Sequence, residues 1–138
     1  MDLYGAPYPI QKTPQGLLAP IRGSDAIKAD LLQLILTNPG ERVMLPDFGT
    51  PLRSILFEQN SLSLTETVRS MILASISQWE PRIAVTSLEV TTEGSLVNAG
   101  AYPSAETGNN LYINIKFSTP DKIQAVEQLS IQLPLGAQ

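Results

Sequence analysis

The sequence predicts an α+β fold: two main helices packed on one face of a small, mainly antiparallel sheet. Two segments, Ser24–Leu36 and Ser63–Trp79, repeat apolar residues every three or four positions, the stripe of a helix with one buried face. A third, Leu111–Ser118, alternates apolar and polar residues without a break, as a half-buried strand does. Thr119-Pro120-Asp121-Lys122 then offers a hairpin turn into another alternating segment.

Residues 1–23 form a Pro/Gly-rich arm that precedes a single domain over 24–138. The arm holds Pro7, Pro9, Pro14 and Pro20 with Gly5, Gly16 and Gly23, shows no periodicity and reads as extended. Such arms are often disordered termini; Tyr4, Tyr8, Ile10, Leu17 and Leu18 favour packing along this or another subunit instead. Ser24 or Asp25 is positioned to cap the first helix, whose apolar face carries Ile27, Leu31, Leu34 and Ile35. Thr37-Asn38-Pro39-Gly40 stops it. The stretch to Gly49 has no clear period, with Val43 and Leu45 as a candidate short strand. Phe48-Gly49-Thr50-Pro51 reads as a turn and Leu52–Phe57 as a short helix.

Ser63 and Glu66 have capping-box spacing for the second helix. Its apolar face is Leu64, Val68, Met71, Ile72, Ile76 and Trp79, a stripe that reads as core. The strand candidate Ile83–Glu93 changes phase between Val85 and Leu88, which predicts a bulge near Ser87. In the last strand candidate, Leu129, Ile131 and Leu133 share one face. Residues 94–110 form a long loop, a length usual for functional or disordered segments. A small sheet leaves edges to which another chain can add a strand.

A chain of 138 residues buries about 70% of its unfolded surface, enough for a core without staples. Charged residues make up only 16%, against about 25% in an average soluble domain. Either much of the surface meets other subunits, or it is simply neutral and polar. A net charge of −4 with nine scattered basic residues argues against nucleic acid, whose affinity comes from clustered Lys and Arg. No apolar run approaches the ~20 residues of a membrane span. Cysteine and histidine are both absent, which excludes disulfides, Cys–His and Ser–His–Asp catalysis and the commonest transition-metal ligand. No metal, cofactor or small-molecule substrate is expected.

Paired carboxylates remain as a route to a peptidoglycan-cleaving, lysozyme-like hydrolase. The candidates are Glu41, Asp47, Glu58 and Glu80, with Arg42, Arg53 and Arg82 as ready partners. An arginine neighbour lowers a carboxyl pKa, the wrong direction for a general acid, so the chain is not expected to be an enzyme. The most informative motif is Glu80-Pro81-Arg82, where the second helix stops and a strand begins. Proline fixes its own φ and turns the preceding residue away from helix. Residues two apart in extended backbone share a side, so Glu80 and Arg82 can project together. Such a pair suits bracing within the chain or docking on a partner.

In order, Leu36-Thr37-Asn38-Pro39-Gly40-Glu41-Arg42, Pro46-Asp47-Phe48-Gly49, Leu56-Phe57-Glu58 and Trp79-Glu80-Pro81-Arg82 resemble the baseplate wedge and sheath-initiator family of contractile phage tails. That family includes a type VI secretion baseplate component, and some members have carried a lysozyme label. The likeness covers about residues 24–93, and the Tyr-Gly-x-Pro-x-Pro arm is similar to the family's lead-in. It implies a non-enzymatic wedge-type subunit in the virion tail baseplate, with larger baseplate wedge proteins and the tail sheath protein as partners. Glu80, Pro81 and Arg82 would dock on the helical bundle of the larger wedge proteins, and Glu41, Arg42, Asp47, Phe48 and Gly49 would shape the adjoining turn. Strands of the sheet would template the first sheath ring. On this reading, loss of Arg82 weakens partner capture and leaves the fold intact.

Overall fold

A computed structural model describes residues 4–55, 62–92, 110–119 and 122–134. Two short strands, β1 (Tyr4–Gly5) and β2 (Ile21–Arg22), precede helix α1 (Ser24–Leu36). A 3-10 turn at Leu52–Ser54 and helix α2 (Leu62–Trp79) follow. Strands β3 (Ala84–Thr92), β4 (Asn110–Thr119) and β5 (Lys122–Pro134) complete the order. The last three form an antiparallel sheet in the order β3-β4-β5.

The alternation in β4 decides where the core lies. Leu111, Ile113, Ile115 and Phe117 are all buried, while Tyr112, Asn114 and Lys116 between them are only partly covered. The buried face meets Ile27, Leu31, Leu34 and Ile35 of α1 and Leu64, Val68, Ile72 and Ile76 of α2 in one cluster. Both helices therefore cover the same side of the sheet. α2 packs against β3, and a 2.7 Å ion pair from Lys28 to Glu127 ties α1 to β5. Leu129, Ile131 and Leu133 of β5 join the core as the alternation requires. The register of β3 against β4 shifts between Val85 and Ser87, and this bulge turns Leu88 into the core after the change of phase.

Several local expectations are revised. Gly23, with φ +63, takes the N-cap of α1 without a side-chain cap. Helix hydrogen bonding starts with Ile27 N–H donating to Gly23 O, which puts Ser24 and Asp25 inside the first turn. Asp25 still complements the positive end of the helix there. α2 starts at Leu62, so Ser63 is helical and its carbonyl accepts from Thr67 Oγ1; the capping box is not formed. Val43 and Leu45 lie in turns, not a strand. Only Leu52–Ser54 of the predicted short helix is helical, and positions 56–57 fall outside the described residues. The arm doubles back: Tyr4 pairs with Arg22, Gly5 with Ile21, and Lys12 bridges Leu18. Thr119 pairs with Lys122, which leaves the two positions of the predicted hairpin turn, and the loop 94–109, outside the described residues.

α1 ends where proline geometry dictates. Thr37 is extended at φ −84, ψ 130, two residues ahead of Pro39, whose ring disfavours helix just before it. The chain then makes a tight excursion and returns beside the helix end. Thr50 N–H donates to Thr37 O at 2.9 Å, and Thr50 Oγ1 donates to Leu34 O at 3.3 Å. Ser75 of α2 donates to Gly49 O at 3.1 Å. Gly49 has φ +124, and a methyl group there would overlap the Thr37 carbonyl. Gly49→Ala therefore adds backbone strain to a backbone clash and is expected to cost more than about 2 kcal/mol, read as a lower urea midpoint with unchanged slope.

Candidate functional site

The last backbone bond of α2 fixes the junction. Glu80 N–H donates to Ile76 O at 2.8 Å, a final helical hydrogen bond, and Pro81 then turns the chain into β3. Arg82 returns its guanidinium to Glu80, with Nε on Oε1 and Nη2 on Oε2 in a bidentate fork. Nη2 also donates to Asp30 Oδ2 of α1 at 2.8 Å. Glu80 is only 5% accessible, whereas the Arg82 side chain is 41% accessible and Pro81 is exposed. The pair thus has a dry carboxylate and a half-wet cation.

Removing a carboxylate from water is costly unless hydrogen bonds and an opposite charge replace the solvent. The planar fork of arginine supplies both. These contacts hold the Arg82 guanidinium above its ordinary pKa: the Glu80 hydrogen bonds contribute most, burial opposes them, and Asp30 adds to them. Arg82 is therefore a permanent cation, and the junction is braced within the chain as well as partly presented at the surface.

The neighbouring turn converges on the same place. Arg42 Nη2 donates to Gln33 Oε1 at 2.9 Å, and its guanidinium lies 4.0 Å from the centre of the Phe48 ring. Phe48 meets Trp79 edge to face, with ring centres 5.3 Å apart and planes at 67°. Asp30, Gln33, Arg42, Phe48, Trp79 and Glu80 line one cleft of about 150 Å³. Arg42, Phe48 and Glu80 thus come together, with Arg82 at the rim through its bonds to Glu80 and Asp30. Gly49 is buried behind them at the Thr37 crossing.

Glu41 and Asp47 do not join this cluster. Glu41 accepts from Asn38 N–H at 3.0 Å and pairs with Arg53 at 3.4 Å, beside a separate cleft of about 290 Å³. Asp47 is exposed on the turn. Sequence reasoning missed Asp30, Gln33 and the ring contact of Trp79. Asp30 and Gln33 interrupt the apolar stripe of α1 three residues apart, one helical step on a shared face, which was the available signal. Among the described carboxylates, Glu80 is locked to Arg82 and Glu41 is engaged by Arg53. Glu58 lies outside the described residues. No group of three or more acidic side chains that could hold a metal occurs among the described residues, and no described helix is long and apolar enough to cross a membrane.

The structure is thus a sheet covered on one face by two helices, with a charged corner braced at the end of α2. Residues 22–119 match the family described as baseplate wedge protein gp25, and the chain belongs to that family. Baseplate wedge protein gp25 of Enterobacteria phage T4 is 31% identical over 114 residues, covering 80% of this chain and 75% of that protein. The fold recurs in a candidate tail lysozyme from Geobacter sulfurreducens, with a TM-score of 0.64 and 23% identity over 83% of this chain and 92% of that one. It recurs in the anti-feeding prophage baseplate, with a TM-score of 0.63 and 17% identity over 99% and 88% of the two chains. Family membership makes the chain a structural baseplate component of a contractile phage tail or a related tail structure.

The buried state of Glu80 revises the expectation that Arg82 is dispensable for folding. Arg82→Ala would strand a carboxylate away from water and is expected to cost about 1–3 kcal/mol, less than a fully buried pair because the arginine is half solvated. Arg82→Lys, which keeps the charge and loses the fork, should fall between the two in thermal melts.

Proposed function

We propose that this chain is a non-enzymatic adaptor that docks through its Glu80-Pro81-Arg82 corner on the helical bundle of the larger baseplate wedge proteins. The observation that carries this reading is the Asp30–Arg82–Glu80 network, which holds the corner in one shape with Pro81 and half of Arg82 at the surface. A surface fixed before contact loses little conformational freedom on binding. Arg42, Phe48 and Gly49 support the corner from the adjoining turn, while Glu41 and Asp47 shape that turn's other side.

The sheet supplies the second contact. Among the described residues β3 and β5 each have a strand neighbour on one side only, and an open edge accepts an added strand through backbone hydrogen bonds. We assign these edges to the sheath protein, where they would template the first sheath ring.

Pro81→Gly keeps the charge network and loosens the corner. It is expected to change stability by no more than about 1 kcal/mol and to weaken capture by co-expressed wedge proteins in a pull-down. Capture at wild-type strength by both Pro81→Gly and Arg82→Lys would count against docking here. A turbidity assay on peptidoglycan should show no clearing by purified protein at high concentration; clearing lost in Glu41→Gln or Glu80→Gln would instead establish the hydrolase.

A further inference from the structure

The guanidinium of Arg82 has one N–H on Nε and a pair on each terminal nitrogen. Glu80 takes the side that joins Nε to Nη2, with Oε1 on the first and Oε2 on the second. The other N–H of Nη2 points to the end of the group, where Asp30 Oδ2 accepts it at 2.8 Å. Nη1 makes no hydrogen bond to the described residues. No buried side-chain nitrogen or oxygen among those residues is left without a partner. Nη1 therefore lies at the solvated edge of a side chain that is 41% accessible.

Arginine commonly grips a carboxylate with two parallel N–H groups, either side-on through Nε and one terminal nitrogen or end-on through both terminal nitrogens. Here Glu80 fills the first seat and Asp30 stands across the second. What is left is the pair of N–H groups on Nη1, whose directions diverge from a single atom. They suit separate oxygens that accept one bond each, and not the two oxygens of one carboxylate. Net charge does not choose the partner, because Asp30 and Glu80 balance Arg82 and Arg42 around the same cleft. Arg53 is engaged with Glu41 at the other cleft.

We propose that Asp30 is the positioning residue of the corner: by closing the end-on seat it presents Nη1 alone, so that the corner takes main-chain carbonyls at the C-terminal turn of a bundle helix. The inference rests on the docking reading above and supplies the chemistry of the acceptor. The last turn of a helix carries carbonyls without an internal partner and a partial negative charge, which arginine donors satisfy. Pro81, exposed beside Arg82, has no N–H to compete for them.

The test is a double-mutant cycle, read by biolayer interferometry as affinity for the larger wedge proteins co-expressed and purified as a complex. Asp30 is partly solvated and alanine favours helix, so Asp30→Ala should stay folded, which a thermal melt checks. Asp30→Ser, which also shortens the side chain, repeats the cycle if the alanine variant melts early. Affinity of Asp30→Ala should fall about five- to tenfold, but by less than about twofold in an Arg82→Lys background, the coupling expected of a residue that acts through Arg82. Asp30→Asn keeps an oxygen for Nη2 and should hold affinity within about twofold. Equal losses in both backgrounds would overturn the positioning role. Tighter binding by Asp30→Ala would mean that a partner carboxylate takes the freed end-on seat, and would overturn the carbonyl acceptor. Wild-type affinity in Asp30→Ala, with capture lost in Pro81→Gly, overturns the inference and leaves corner docking standing. Undetectable binding of the wild-type chain overturns both.

Discussion

The carboxylate of Glu80 is held almost wholly out of water at the end of a helix, and the geometry around it follows from that constraint. A buried charge demands a counter-charge with several donors, and the arginine two residues onward supplies it. Pro81 fixes the turn that lets the fork close. The same Nη2 that holds Glu80 Oε2 also reaches Asp30 on α1, so the corner between α2 and β3 is fastened to the other helix. One short ionic network thereby ties the α2–β3 junction to α1 beside the apolar core that packs the helices on the sheet.

Bracing and docking looked like alternatives in the sequence, yet one pair can serve both. The buried end of the network gives the corner its shape, and the solvated end leaves an arginine edge and a proline ring at the surface. The same division runs through the adjoining turn. Arg42 lies on Phe48 and Phe48 on Trp79, while Val43 and Met44 face the solvent. Residues adjacent in sequence are thus divided between buried support and solvent by the side on which the backbone places them.

Periodicity made most of the fold legible. Both helices end within a residue or so of their predicted limits, the alternation in β4 correctly divided core from surface, and the phase change near Ser87 marked a real shift of register. Local signals failed where tertiary contacts decide. Gly23 displaces Ser24 as the helix cap because its positive φ lets the chain enter α1 from the β2 pairing. Val43 and Leu45 look like a strand in a linear reading, but the Gly40–Pro46 closure and the Leu45–Arg42 bond fold them into a tight loop. For the site, Glu80-Pro81-Arg82 was legible as a unit because its members are adjacent. Asp30 lies 52 positions from Arg82; its place on the face of α1 with Gln33 marked it as unusual, but the identity of its partner follows only from how α1 packs beside the end of α2.

Gly49 has a mechanical consequence. Its lack of a side chain lets the returning backbone lie directly against the Thr37 carbonyl, while Ser75 grips its own carbonyl from α2. Both feet of the 38–49 excursion are thus clamped, one to each helix. A thrust on the outer tip would be shared between the two helices at once, so the segment behaves as a rigid strut under load and not as a hinge that gives way.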